Sequence, residues 1–360
     1  MSELAFKGRK VLVTGASRGI GRAIAVAFAE AGANVALVYR SDQQAAQDAL
    51  AAMPGAGHCL IQADLSVPAD AERAVADSID RLGGLDIVVN NAGIYLEHPV
   101  AEIDFERWQH CWRATIDTNL IGPANVCYAA ARHMIDRGAG KIVNISSRGA
   151  FRGEPRGPAY GASKAGLNSM SQSLAVALAP HGIFVGVVAP GFVETDMARE
   201  LLEGPGGDEI RRQSPLNRVG RPDEVARAVL FLASDDIDFA TGAIIDVNPR
   251  ACAMFGYSPG EFTRMRTSDI HPADSDRFKV FAASVARQGT GWTDELACLT
   301  RAGTILPVEV SASLVAFDGA PLMIAIFRDI SERKQIEEMK NAFVSNVSHE
   351  LRTPITNLML

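Results

Sequence analysis

The sequence predicts an α/β protein: a doubly wound, seven-stranded parallel sheet, followed by an incomplete α+β region and a C-terminal helix. Three observations predict it. Between Lys10 and Val247, short runs that are apolar throughout alternate with helix-length amphipathic segments, the pattern of strands covered on both faces. The first run empties into a glycine-rich turn that opens a helix. Beyond Val247 the apolar residues shift to period 2, which suits strands buried on one face only.

In chain order the expected strands are VLVTGA (11–16), NVALVY (34–39), CLIQAD (59–64), DIVVNNAG (86–93), KIVNISS (141–147), IFVGVVAP (183–190) and AIIDV (243–247). A ligand crevice is expected at their C-terminal ends. The glycines of Gly204-Pro205-Gly206-Gly207, within Ala198 to Pro215, suit a mobile lid over that crevice. NPRACAMFGYSPGEF then reads as loop and short helix, and residues 293–313 and 321–330 read as antiparallel strands. From Ser331 the chain turns charged and helical, with Ile336, Met339, Phe343, Val347 and Leu351 as an apolar seam. The expected division is 1–247, 248–330 and 331–360.

Composition bounds the function. At 360 residues, with 48% hydrophobic and 21% charged, the chain is folded rather than disordered. Thirty-five basic against 42 acidic residues, with no dense basic run, argue against nucleic acid as a partner. Cys59, Cys111, Cys127, Cys252 and Cys298 are scattered without a CxxC pair, as reduced thiols would be, and no metal site is implied. The opening MSELAFKGRK has no signal-like apolar core and no stretch is long enough to span a membrane, so a cytoplasmic location is expected.

The turn Thr14-Gly15-Ala16-Ser17-Arg18-Gly19-Ile20-Gly21 leads into a helix carrying Ile24, Ala25, Phe28 and Ala29. Glycines let backbone approach a pyrophosphate, and the helix N-terminus offers N–H donors. At the end of the second strand a dinucleotide fold places either an acid for ribose hydroxyls or a cation for a 2′-phosphate. The residue there is Arg40, which together with Arg18 favours NADP(H), the alternative being two solvated arginines and NAD. Further on, Tyr160 and Lys164 lie four apart and share a helix face, and Ser147 ends a strand thirteen residues earlier. A phenol near pKa 10 needs a neighbouring cation to work as an acid/base at neutral pH.

TGASRGIG, Asn90-Asn91-Ala92-Gly93, Asn119, Ser147, the Tyr160/Lys164 pair and Pro190-Gly191 with Thr195 together resemble a classical short-chain dehydrogenase/reductase, a Rossmann-like family, over residues 5–247. The resemblance implies Tyr160 as proton donor or acceptor and Ser147 orienting the carbonyl. It implies that Lys164 holds the nicotinamide ribose and lowers the Tyr160 pKa, and that Asn119 anchors a water. It places Gly15, Ser17, Arg18, Gly19 and Ile20 at the pyrophosphate, Asp64 and Leu65 at the adenine, and Asn91, Ala92 and Gly93 beside the cofactor. Pro190, Gly191, Val193 and Thr195 then flank the nicotinamide carboxamide. Residues 220–234 and 241–248 are most similar to 3-oxoacyl-carrier-protein reductase-like members, whose sequences are shared by many carbonyl and sugar-alcohol oxidoreductases. The implied partners are a small-molecule ketone or secondary alcohol and further copies of the chain, as a tetramer or dimer. Glu30, Asp86 and Glu97 read as solvated or capping acids.

Residues 243–334 resemble a PAS sensor domain, and Phe343 to Pro354 resemble the phosphoacceptor box of a sensor histidine kinase, with His349 as phosphoacceptor. No ATP-binding motif is read in these residues, so phosphorylation is expected to need a kinase domain in trans. This gives a rival reading as a signalling protein; a non-catalytic scaffold is a third. One conflict is built in: AIIDV is both the seventh strand of the first sheet and the opening of the PAS-like region. The reductase sheet is expected to keep it, because losing it would expose an edge.

Overall fold

A strand that is apolar along its whole length needs helices above and below it. The computed structural model describes residues 5–204, 206–212, 218–247, 270, 275–317, 320–334 and 340. Two compact units divide the chain, Met1–Pro249 and Arg250–Leu360.

In the first unit β1 (Lys10–Thr14), β2 (Asn34–Tyr39), β3 (Cys59–Gln62), β4 (Ile87–Asn90), β5 (Gly140–Ile145), β6 (Ile183–Pro190) and β7 (Ile244–Val247) form one parallel sheet in the order β3-β2-β1-β4-β5-β6-β7. The order reverses on either side of β1, so the crevice opens at the ends of β1 and β4. Around it lie α1 (Gly19–Glu30), α2 (Gln43–Ala51), α3 (Pro68–Leu82), α4 (Phe105–Ile116), α5 (Gly122–Arg137), α6 (Pro158–Leu178), α7 (Asp196–Glu203), α8 (Gly207–Arg212) and α9 (Pro222–Ala233).

Alternation within the apolar runs assigns the two faces. Val11, Val13, Val35 and Leu37 pack with Ile24 and Phe28 of α1 and Val229 of α9. Leu12, Ala36, Val38 and Val88 pack on the opposite side with Val75 of α3 and Val126 and Met134 of α5. All eight residues of β6 are buried. Polar residues inside these runs pair with one another: Asn90 Nδ2 donates to Asn144 Oδ1 at 2.9 Å, and Asn144 Nδ2 to Ser171 Oγ at 2.8 Å. At the β3 edge, the carbonyls of Leu60 and Gln62 accept from Arg81 (2.9 Å) and Arg73 (3.1 Å) of α3, which covers acceptors that an incoming strand would use.

The contested strand belongs to the first sheet. Ile244, Ile245, Asp246 and Val247 register with Val187, Val188, Ala189 and Pro190 of β6. The expected lid folds as α7 and α8 where it is described, with Ala198 and Leu202 buried.

In the second unit α10 (Ser275–Gln288) accompanies β8 (Thr290–Leu299), β9 (Ile305–Phe317) and β10 (Ala320–Asp329), an antiparallel sheet in the order β10-β9-β8. The β8–β9 turn is possible because Gly303 adopts φ +80°, letting its N–H reach Thr300 O at 2.9 Å. Ile270, Leu296, Cys298, Val308 and Val310 form a separate core, with Phe278 and Phe281 against it. Strands 244–247 do not join this sheet.

Among the described residues Cys59, Cys111, Cys127 and Cys298 are free thiols, no helix is long and apolar enough to cross a membrane, and no cluster of metal-ligating side chains occurs.

Candidate active site

The glycine turn after β1 is clasped to the end of β4. Thr14 Oγ1 accepts the N–H of Asn91 at 2.9 Å and of Ala92 at 3.0 Å, and Asn91 Nδ2 donates back to the carbonyls of Thr14 (2.9 Å) and Gly15 (3.1 Å). Glycine is required in this clasp. Gly15 has φ +62°, and a Cβ there would lie 2.9 Å from Ala92 Cα; one on Gly21 would lie 2.2 Å from the Gly15 carbonyl oxygen. Helix α1 starts after Arg18 with no side-chain cap and no acid in its first turn. Its N-terminal N–H groups and positive dipole end suit an anion. Thr195 lies over this turn, its Cγ2 3.4 Å from where a Gly19 Cβ would be.

Ser147 follows β5 in extended conformation, and its Oγ accepts the Gly149 N–H at 3.1 Å. Tyr160 and Lys164 project from the first two turns of α6, and Ser147 hydrogen-bonds the Tyr160 side chain. Burial raises the Tyr160 pKa above its ordinary 10.0, the Ser147 hydrogen bond opposes this, and the Glu154 carboxylate adds to it. Lys164 is buried; its Nζ donates to the Ile145 carbonyl at 2.8 Å and lies 5.8 Å from the Tyr160 ring centroid. Burial depresses the Lys164 pKa to about 8. Desolvation is the largest influence on both groups.

Asn119 occupies a π-turn, Asp117–Ile121, between α4 and α5. Its Oδ1 accepts the Ile94 N–H at 2.8 Å, and its Nδ2 donates to the Ile94 carbonyl at 2.9 Å and to Ser163 Oγ at 3.3 Å. The side chain thus holds the loop that carries Gly93 and Tyr95. Tyr95 meets Tyr160 edge-on, ring centroids 5.2 Å apart. His98, fully buried, accepts the Ala159 N–H through Nε2 at 3.1 Å, so its Nδ1 carries the proton donated to the Leu96 carbonyl at 2.7 Å. This pins the start of α6 next to Tyr160. Half-buried Glu154 packs over Gly149, its Oε1 2.8 Å from where a Cβ would sit, and Arg148 lies over the Phe192 ring, Cζ 4.0 Å from the centroid.

Residues 15–249 match a family model described as enoyl-(acyl carrier protein) reductase, and residues 231–332 match a PAS domain model. The 3-oxoacyl-[acyl-carrier-protein] reductase FabG of Chlamydia trachomatis is 37% identical over 242 residues, 67% of this chain and 96% of that protein. An acetoacetyl-CoA reductase of Shinella zoogloeoides is 38% identical over 240 residues, 67% of this chain and 97% of the relative. A short-chain dehydrogenase from Burkholderia cenocepacia J2315, solved in complex with NADP, superposes with TM-score 0.61 at 34% identity, over 68% of this chain and 98% of that one. The chain belongs to the short-chain dehydrogenase/reductase family. Its reductase-like region is followed by a PAS domain.

Residues 231–249 of this short-chain dehydrogenase/reductase fall within both matches, and its sheet keeps 244–247. Arg18 and Arg40 are exposed. Arg40 borders a polar cleft with Gln62, Asp64, Asp70, Arg73 and Arg81. Asp64 accepts Ser66 N–H (3.0 Å) and Oγ–H (2.7 Å), so its carboxylate holds the turn before α3, while Leu65 is buried. After Pro190-Gly191, Val193 bridges to Gly220, where Glu194 N–H meets the Gly220 carbonyl at 2.8 Å. Asp86 and Glu97 are structural partners of Arg137 and Arg156, each at 2.7 Å. His349 and Cys252 lie outside the described residues. The sequence reading missed Thr14, Tyr95, His98, Arg148 and Glu154. The one signal for the last two was the charge cluster of Arg148, Arg152 and Glu154 between Ser147 and Tyr160.

Proposed function

We propose that this chain is an NADP(H)-dependent oxidoreductase acting on a ketone or secondary alcohol, with Tyr160 as the general acid/base. The observation that carries this reading is the convergence of Ser147, Tyr160 and Lys164 beside the loop of Gly93 and Tyr95, at the C-terminal end of the sheet. The glycine cradle fits a dinucleotide: Gly15 and Gly19 have positive φ, and α1 has no side-chain cap. Gly15, Ser17, Arg18, Gly19 and Ile20 would face the pyrophosphate, Arg40 the 2′-phosphate, and Asp64 and Leu65 the adenine. Asn91, Ala92 and Gly93 would form the floor, with Pro190, Gly191, Val193 and Thr195 along the nicotinamide. When bound, NADP(H) supplies or accepts the hydride.

The protein's own residues would manage the proton. Ser147 and Tyr160 donate hydrogen bonds to the substrate oxygen, and the phenol, kept protonated at neutral pH by its raised pKa, holds the proton that a developing alkoxide takes. Lys164 would hold the ribose, and Asn119 would keep the Ile94 loop in place. Use of NADP(H) is supported by the NADP complex of the related Burkholderia cenocepacia enzyme. The reductases of 3-oxoacyl carriers and acetoacetyl-CoA among the relatives make 3-oxoacyl compounds the first substrates to try.

The test is fluorescence titration with NADPH, then turnover with a panel of ketones and 3-oxoacyl thioesters, in wild type and Tyr160→Phe. The expected result is retained NADPH binding and a loss of turnover of roughly a hundredfold or more. Full turnover by the variant would sink the proton-transfer role.

A further inference from the structure

We propose that His98 is a positioning residue for the reaction: its imidazole caps the helix that carries Tyr160 and Lys164 and thereby sets where the phenol stands; this rests on the oxidoreductase reading above. The first N–H groups of a helix have no partner inside it, and a side-chain oxygen at the N-cap ordinarily accepts one of them. Helix α6 cannot use that device. Its N-cap is Gly157, where a Cβ would lie 2.8 Å from Tyr95 Cε2 and 3.2 Å from the Tyr95 hydroxyl. A serine, threonine or aspartate there would displace the ring that meets Tyr160 edge-on. Pro158, the first residue of the helix, has no N–H to satisfy, and Tyr160 and Gly161 turn theirs to the Gly157 carbonyl at 2.9 and 3.3 Å. The N–H of Ala159 is taken by His98 Nε2 at 3.1 Å, from 61 residues away.

Histidine suits this place because one rigid ring offers an acceptor and a donor at a fixed separation. With Nε2 accepting from Ala159, Nδ1 donates to the Leu96 carbonyl at 2.7 Å, and the His98 main-chain N–H donates to the Arg156 carbonyl at 2.8 Å. The residue is 0% exposed, and its ring stands edge-on to Trp108 of α4, centroids 5.5 Å apart. The loop after β4, α4 and α6 thus fix it together. Tyr160 is the next residue after Ala159, so a shift of the Ala159 amide passes along one helical turn to the phenol and, four residues on, to Lys164. Proton transfer depends steeply on such placement, whereas the glycine turn that would hold the pyrophosphate belongs to β1 and α1. Loss of the cap therefore falls mainly on the chemical step and largely spares cofactor binding.

The test compares His98→Gln, whose amide oxygen can reach the Ala159 N–H, with His98→Met, a side chain of matched length without that acceptor. Both are measured in the full chain with NADPH and the same panel of ketones and 3-oxoacyl thioesters. The expected result is a fall of about tenfold or more in kcat for His98→Met, NADPH binding within about twofold of wild type, and recovery of most of that kcat in His98→Gln. The pH at which alcohol oxidation rises, set by the Tyr160 proton, is expected to shift in His98→Met and to return in His98→Gln. His98→Asn, which reaches the Leu96 carbonyl but falls short of Ala159, is expected to behave as His98→Met and takes its place if that variant does not fold. Equal loss of kcat in His98→Gln and His98→Met overturns the proposal. So does wild-type kcat in folded His98→Met, or a loss of NADPH binding as large as the loss of kcat. In each of these cases turnover that still depends on Tyr160 leaves the oxidoreductase reading standing. If the wild type turns over none of the panel, that reading falls and the role of His98 falls with it.

Discussion

Thr14 and Asn91 hold each other across the crevice: the threonine hydroxyl accepts the Asn91 N–H at 2.9 Å, and the Asn91 amide donates to the Thr14 carbonyl at 2.9 Å. The same hydroxyl also accepts the Ala92 N–H, so one buried oxygen satisfies two backbone donors and fixes the distance between glycine turn and β4. Thr14→Ala leaves both without that acceptor and is expected to cost about 1–3 kcal/mol. Thermal unfolding measures this, and NADPH titration is expected to weaken alongside it. Thr14→Ser, which keeps the oxygen, is expected to stay near wild type.

Glu154 and Ser147 act on the Tyr160 proton in opposite senses. The carboxylate disfavours the phenolate and the hydroxyl favours it. Alcohol oxidation requires the phenolate, so its rate rises as pH passes the Tyr160 pKa. Glu154→Gln is expected to move that rise to lower pH, and Ser147→Ala to higher pH with a slower rate. Shifts in the same direction would contradict this arrangement.

Burial of Lys164 comes at a cost in stability. Its pKa falls from 10.5 to about 8 on folding, so at neutral pH burial of the ammonium opposes folding by roughly 3 kcal/mol. The folded pKa lies below the unfolded one; between about pH 8 and 10.5 the unfolded chain binds the extra proton, and stability rises with pH. Lys164→Met lacks this linkage. Its denaturation midpoint is expected to exceed that of wild type at pH 7, with the advantage shrinking as pH rises through that window, and its turnover to be lost.

Arg40 ends β2 in an exposed position beside a polar cleft. If its guanidinium meets a 2′-phosphate, Arg40→Asp raises KM for NADPH by roughly tenfold or more and that for NADH far less. Initial rates with both nucleotides measure this. An equal effect on both would remove the case for phosphate recognition.

Strand β7 is short but covers β6, whose eight residues are all buried. A chain ending at Pro249 is expected to fold and to keep cofactor binding. One ending at Gly242 exposes the β6 edge and is expected to aggregate, as size-exclusion chromatography would reveal.

The seven strands, the glycine turn and the positions of Ser147, Tyr160 and Lys164 were legible in the sequence because each is a local pattern: an apolar run, a turn chemistry, a helical spacing. Strand boundaries moved by only a few residues, as in β4, which stops at Asn90 instead of running to Gly93. Side-chain partners across the fold were not legible. Asn91 and Asn119, expected beside the cofactor and a water, also hold loops through hydrogen bonds to Thr14, Gly15 and Ile94, which no local pattern announces. His98 left no spacing signal, because its partner at Ala159 lies 61 residues away.

The sequence by itself determined the fold class and the glycine turn, since apolar periodicity and glycine conformational freedom are properties of neighbouring residues. Only the tertiary structure decided three matters: which sheet owns residues 244–247, that Arg148 stacks on Phe192, and that burial moves Tyr160 up and Lys164 down. Strand ownership depends on a partner edge nearly sixty residues distant, and a pKa depends on how much water folding excludes; neither quantity exists until the chain closes around the site.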